Sequence, residues 1–177
     1  LNVKGKGEYL IKENNIDLFN FEIVKKKDKY NYNIFIDLTN QELQIEDLEY
    51  IKNNKVKSSL ELIGRLKENQ IGLDSVIFKE KKNFISLKNL DIKNNKILNI
   101  DNIEIDLTTN NKFRNQFVLK RKNKNFFLDA KSLNFEVFIN KMSKNDKSRN
   151  LFNIFDDLNS KIKINIAKAN LDSESEV

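Results

Sequence analysis

The sequence predicts a mainly β chain, an elongated, twisted antiparallel meander or groove with a few short helices. Three observations carry that reading. Apolar and polar residues alternate with the two-residue period of a strand, as in Leu60, Leu62 and Leu66 against Glu61, Arg65 and Lys67, and in Ile103, Ile105 and Leu107 against Glu104 and Asp106. Polar turn centres recur near residues 14, 27, 40, 54, 69, 81, 94, 110 and 123, roughly every 12 to 16 residues. Helical spacing is confined to a few short intervals.

In chain order, Val3, Gly5, Gly7, Tyr9 and Ile11 alternate with Lys4, Lys6, Glu8 and Lys12, a first strand whose glycines permit a bulge or a close approach. Asn14-Asn15 turns it. Phe19, Phe21 and Ile23 give a second strand, and Tyr30, Tyr32, Ile34, Ile36 and Leu38 a third. Strand centres fall near Tyr9, Phe21, Ile34, Leu62, Ile85, Ile105, Leu119, Leu128 and Ile164. Between Leu87 and Leu90 the phase changes, which predicts a bulge. In QELQIEDLEYIKNN the residues Leu43, Ile45, Leu48 and Ile51 lie two and three apart, and a short helix is expected there.

Phe135, Phe138, Ile139 and Met142 have helical spacing, SKNDKSRN from Ser143 is a polar linker, and Leu151, Ile154, Phe155 and Leu158 suggest another short helix. Ile162, Ile164 and Ile166 resume strand alternation. The expected organisation is a β-meander groove segment over 1–142, a linker over 143–150, and a short helix with the start of the next β segment over 151–177. The opening at Leu1, already inside a strand pattern, and the break at Val177 read as the cut ends of a longer protein.

Composition narrows the chemistry. The 177 residues are 39% hydrophobic and 33% charged, enough for one domain with a core but lean in apolar residues. Cys and His are both absent, which removes disulfides, thiolate nucleophiles, histidine bases and the commonest zinc ligands together. GKG at Gly5 and Gly7 lacks the third glycine and following helix of a phosphate cradle, and neither Asp156-Asp157 nor Asp172, Glu174 and Glu176 has the spacing of a calcium loop. The expectation is a protein without catalytic residues, cofactor or metal. No run approaches the roughly 18 apolar residues of a membrane span, and no signal peptide opens the chain.

The formal charge of +6 and pI near 9.3 accompany a chain dominated by Lys, Asn and Ile, the composition that a strongly A- and T-rich genome produces. The lysines are spread over every turn instead of collecting in one run, so no nucleic-acid partner is expected. More informative is the apolar face. A repeating sheet whose strands each contribute several Leu, Ile or Phe residues must cover them with another layer, a partner or a nonpolar ligand. Either the sheet folds over its own core, as in a structural or adhesive β-repeat, or the face forms a groove for acyl chains.

The succession GKGEYLI, YNYNIFIDLTNQELQIEDLEYIK, SSLELIGRLKENQIGLDSVIFKEKKNFISLKNLDIKNN, FFLDAKSLNFEVFI and LNSKIKINIAKANLD resembles the middle of an AsmA-like bacterial envelope protein, nearest the YhdP-like branch. The resemblance lies in strand phrasing and segment order over essentially the whole chain and contains no catalytic signature. It implies a long, twisted β-groove protein of the periplasm, anchored in the inner membrane by parts outside this chain, that carries phospholipid toward the outer membrane. Its partners would be phospholipid acyl chains. On that reading Leu60, Leu62, Ile85, Leu87, Ile103, Ile105, Leu107, Phe117 and Leu119 line the groove on one continuous face.

Overall fold

The two-residue alternation is realised as strand over most of the residues that the computed structural model describes, 1–10, 16–136 and 161–170. β1 (Asn2–Leu10), β2 (Ile16–Lys26) and β3 (Lys29–Asp37) open an antiparallel meander. After an excursion holding β4 (Leu43–Ile45) and β5 (Tyr50–Lys52), it continues through β6 (Ser58–Lys67), β7 (Gln70–Glu80) and β8 (Asn83–Lys93). A short β9 (Lys96–Asn99) hangs on β8, and β10 (Asn102–Thr108), β11 (Arg114–Lys122) and β12 (Asn125–Asn134) extend the sheet. β13 (Lys161–Ile166) and β14 (Ala169–Asn170) join β12.

The result is a twisted 12-stranded sheet, not closed into a barrel, with the path β1-β2-β3-β6-β7-β8-β10-β11-β12-β13 and a separate two-stranded β4–β5 hairpin. Ten neighbouring strands at about 4.8 Å give the path a width of roughly 45 Å.

Every expected turn centre from 27 to 123 falls on a turn or the bend beside it, and the one near 14 lies outside the described residues. The tight hairpins place Lys27, Glu68, Lys81, Asn94, Asn95 and Asn123 at φ between 49° and 60°. Left-handed turn residues match the right-handed twist of the flanking strands. The four glycines are not used for this purpose, since none has positive φ.

Three features differ from the sequence reading. The expected helix over Leu43 to Ile51 is instead β4, a single 3-10 turn over Glu46–Leu48, and β5. Leu43 and Ile45 keep strand spacing, and Glu49 ends the turn in the left-handed region at φ 49°, so no second helical turn can follow. β7 carries none of the nine expected strand centres, because its alternation slips at Asp74. The ladder runs from Ser75 opposite Lys88 directly to Leu73 opposite Leu90, omitting Asp74 and Asn89 together. Asn89, at φ 52°, stands where the phase change between Leu87 and Leu90 predicts a bulge, but it leaves the ladder in step with Asp74, and the one-residue bulge is that of Asp74 against β6. Finally, β13 lies parallel to β12, so the sheet is mixed at this edge. A parallel neighbour requires a long connection, and residues 135–160 separate the two strands. The expected helices over 135–142 and 151–158 and the linker over 143–150 lie outside the described residues, apart from Phe135 and Glu136.

Aromatic rings fill the space that missing side chains leave. Phe21 lies over Gly5 and Phe19 over Gly7, the two rings stacked with centroids 6.1 Å apart. Tyr32 lies over Gly64 and donates its hydroxyl to the Gly72 carbonyl at 3.2 Å. A Cβ at Gly64 would collide with that carbonyl oxygen as well as with the ring. Gly64→Ala is therefore expected to cost about 1–3 kcal/mol in urea denaturation. Gly5→Ala, which meets only the far end of the Phe21 ring, should cost less.

Candidate functional site

Register and alternation together decide which side chains share a face. One row crosses the sheet as Gly5, Phe21, Ile34, Leu62, Val76, Leu87, Ile103, Leu119, Leu128 and Ile164. The adjacent row on the same face reads Gly7, Phe19, Ile36, Leu60, Phe78, Ile85, Ile105, Phe117, Ala130 and Ile166. Neither row contains a polar side chain. Of the nine groove candidates, Leu62, Leu87, Ile103 and Leu119 fall in the first row and Leu60, Ile85, Ile105 and Phe117 in the second. Leu107 lies two residues beyond Ile105, opposite Asn115.

The face is not uniformly covered. Ile103, Ile105, Leu107 and Leu119 are buried, with relative exposures of 8%, 4%, 0% and 3%, and belong to a core with Phe78, Phe126, Leu128 and Leu133. Leu60, Leu62, Ile85, Leu87 and Phe117 are half-buried, as are Phe19, Phe21, Ile34, Ile36 and Val76. The candidate set thus spans a closed core on β10–β12 and an open apolar surface toward β1. Residues on β2, β3 and β7 extend that surface and were legible from the same alternation, except where the slip at Asp74 hides Val76 and Phe78.

One end of this face is capped by the excursion between β3 and β6. Leu48 and Tyr50 join the core, Tyr50 edge-on to Phe78 at 6.1 Å. The Tyr50 hydroxyl donates to Glu80 at 2.9 Å, which also accepts from Asn83 at 2.7 Å. Asn115 Nδ2 donates to the Leu48 carbonyl at 3.3 Å, and Asn134 Nδ2 to Glu49 at 2.8 Å. Buried Lys52 gathers the loop by donating its ammonium to the carbonyls of Leu38, Thr39 and Gln41. Buried Asp17 on β2 accepts from the Asn40 amide at 3.0 Å and from Gln41 Nε2 at 2.9 Å. The cap therefore ties β2 to β12 across one end of the sheet.

The opposite face is polar in the main, with Phe35, Ile63, Ile77, Phe84 and Val118 among its charged and amide residues and with Phe35 and Ile63 exposed. Arg65 bridges Asp74 and Asp91, so the residue expelled at the slip finds a partner, and Arg114 grips Asp106 through both carboxylate oxygens at 2.6 and 2.8 Å. The Asp106 carboxylate raises the pKa of Arg114. Two depressions of about 770 and 310 Å³ open on this side, one bordered by Lys4, Lys6, Glu22, Phe35 and Glu61, the other by Phe84, Glu104, Val118, Asp129 and Lys131. Among the described residues no three acidic side chains approach closely enough to hold a metal ion, and no helix is long and apolar enough to cross a membrane. No family model matches this chain, and no curated protein or solved structure matches it.

Two predictions test the cap. Lys52→Met would remove the ammonium shared by the Leu38, Thr39 and Gln41 carbonyls, of which that of Leu38 also accepts from the Gln41 backbone amide, and should cost about 2–4 kcal/mol of unfolding free energy, read from urea melts. The second concerns alkaline pH. Burial, with Asp17 and Asp37 nearby, pushes the Tyr9 phenol up from 10.0 to about 12. The folded state holds that proton more tightly than the unfolded chain, so the contribution is fully present below pH 10 and is lost as pH rises toward about 12. Burial and Glu80 raise Tyr50 in the same direction, whereas burial lowers Lys52, whose contribution grows with pH below 10.5. Stability should therefore fall above pH 10, and Tyr9→Phe should make the fall shallower.

Proposed function

We propose that this chain is a segment of a bridge-like lipid-transport protein that carries phospholipid along the apolar face of its sheet. The observation supporting this reading is the pair of adjacent rows that cross ten strands without a polar side chain and stay half exposed on β2, β3 and β6. Acyl chains would lie across these rows while head groups stay in water. Each methylene withdrawn from water contributes roughly 0.8 kcal/mol irrespective of its position along the face, so such a surface takes many lipids without a shaped pocket. Transfer is then physical movement, with no acid, base or nucleophile. The resemblance in strand phrasing to AsmA-like envelope proteins adds the setting, the periplasm, with an inner-membrane anchor outside this chain.

A structural β-repeat is the second reading, favoured on β10–β12 by the burial of Ile105, Leu107 and Leu119. Photo-crosslinking separates the two. A crosslinker at Ile34 or Leu62 should capture phospholipid, one at Glu61 on the polar face should not, and one at Ile105 should capture only protein. Protein crosslinks alone at Ile34 and Leu62, or equal lipid labelling at Leu62 and Glu61, would assign the whole face to a closed core. Leu62→Asp should keep the fold and abolish lipid capture at Ile34, whereas Ile105→Asp should unfold the domain by placing an unpaired charge in the core.

A further inference from the structure

Folding collects on the polar face a group of lysines that the sequence scatters. Lys88, Asn102, Lys120, Phe127 and Lys163 stand opposite one another in a single register row, and Lys122, Asn125 and Lys161 form the next. Residues in register share a face, so five ammonium groups project from one corner, beside the turn at 123–124. All five lysines are exposed. The half-buried Phe127 ring sits among them, with Lys122 Nζ 5.3 Å and Lys163 Nζ 5.7 Å from its centroid. In the row on the other side stand Glu104 and Asp129, so the basic corner has an acidic border and does not run on across the face.

We propose that this corner docks on an anionic phospholipid bilayer surface. Five compact, strongly hydrated charges on β8, β11 and β13, every second strand and so about 10 Å apart across the sheet, match a diffuse array of anionic head groups. The patch has no arginine fork to grip a single phosphate bidentately. Single-stranded nucleic acid is served by successive free rings on which bases stack, whereas this patch offers one ring that lies between two ammonium groups. The corner is on the face opposite the acyl-chain rows, so the proposal stands or falls independently of them.

Co-sedimentation of the 177-residue chain with vesicles of phosphatidylglycerol and phosphatidylcholine, against phosphatidylcholine alone, tests it. Binding should require phosphatidylglycerol and weaken as salt rises. Replacing three exposed lysines, Lys120→Gln, Lys122→Gln and Lys163→Gln, should reduce partitioning on the order of 100-fold with the circular dichroism spectrum unchanged. The charge-matched control Lys6→Gln, Lys79→Gln and Lys112→Gln should bind nearly as well as the wild type. Equal loss in both triple variants, undiminished binding by the first, or binding to phosphatidylcholine alone would overturn the proposal. Displacement from the vesicles by a single-stranded oligonucleotide would overturn it in favour of nucleic acid.

Discussion

The fold depends on keeping one register across ten strands. A strand presents alternate residues to opposite faces, so a one-residue error at any hairpin would turn every later apolar residue toward the polar side. The two-residue turns at 27–28, 68–69, 81–82 and 123–124 prevent this by fixing which residues face each other. Single-strand bulges occur at Asp74 against β6 and at Lys131 against β11, and between β7 and β8 the slip is shared. Asp74 and Asn89 leave the β7–β8 ladder at the same level, and Leu73 and Leu90 resume pairing beyond them. The expelled Asp74 is held by Arg65, whose other contact is Asp91 two residues beyond Asn89. A paired slip with its own ion pair preserves the apolar face on both sides of the irregularity.

That face then has to be covered, and the chain covers it unevenly. At one end the excursion between β3 and β6 supplies Leu48 and Tyr50 as a lid, while its polar groups bind Glu80, Asn115 and Asn134. Lys52 holds the lid together by giving one ammonium to three loop carbonyls, that of Leu38 accepting from the Gln41 amide as well. Toward β1 the cover is thinner, and the ring ends of Phe21 and Phe19 reach over Gly5 and Gly7. The same rows of residues are thus core at one side of the sheet and accessible apolar surface at the other, and that gradient is the physical basis for the lipid-carrying reading.

Charge is sorted on the reverse face. Acidic residues opposite or near arginines are consumed in ion pairs, as with Asp106 and Arg114, and the lysines of β8, β11 and β13 are left without carboxylates in their own rows. Both faces therefore carry information, one through continuity of apolar surface and the other through segregation of charge.

The sequence by itself determined the strand class, the turn positions and which side chains within a strand share a side. All three follow from local period and local turn chemistry, which act over a few residues. Leu60 shares a side with Leu62, and Ile103 with Ile105, because each pair is two residues apart, while register puts both pairs on the same face. Tertiary structure alone decided the rest. Helix or hairpin at Leu43 to Ile51 was undecidable from spacing two and three apart, and the outcome rests on contacts with Glu80, Asn115 and Asn134 far along the chain. The parallel placement of β13 depends on where a long connection returns, which no alternation encodes. Burial of Ile105 and exposure around Leu62 are likewise set by what lies above each residue, since an identical strand pattern serves a closed core and an open surface equally well. The lysine corner is a product of register, because only strand pairing brings Lys88, Lys120 and Lys163 into one row.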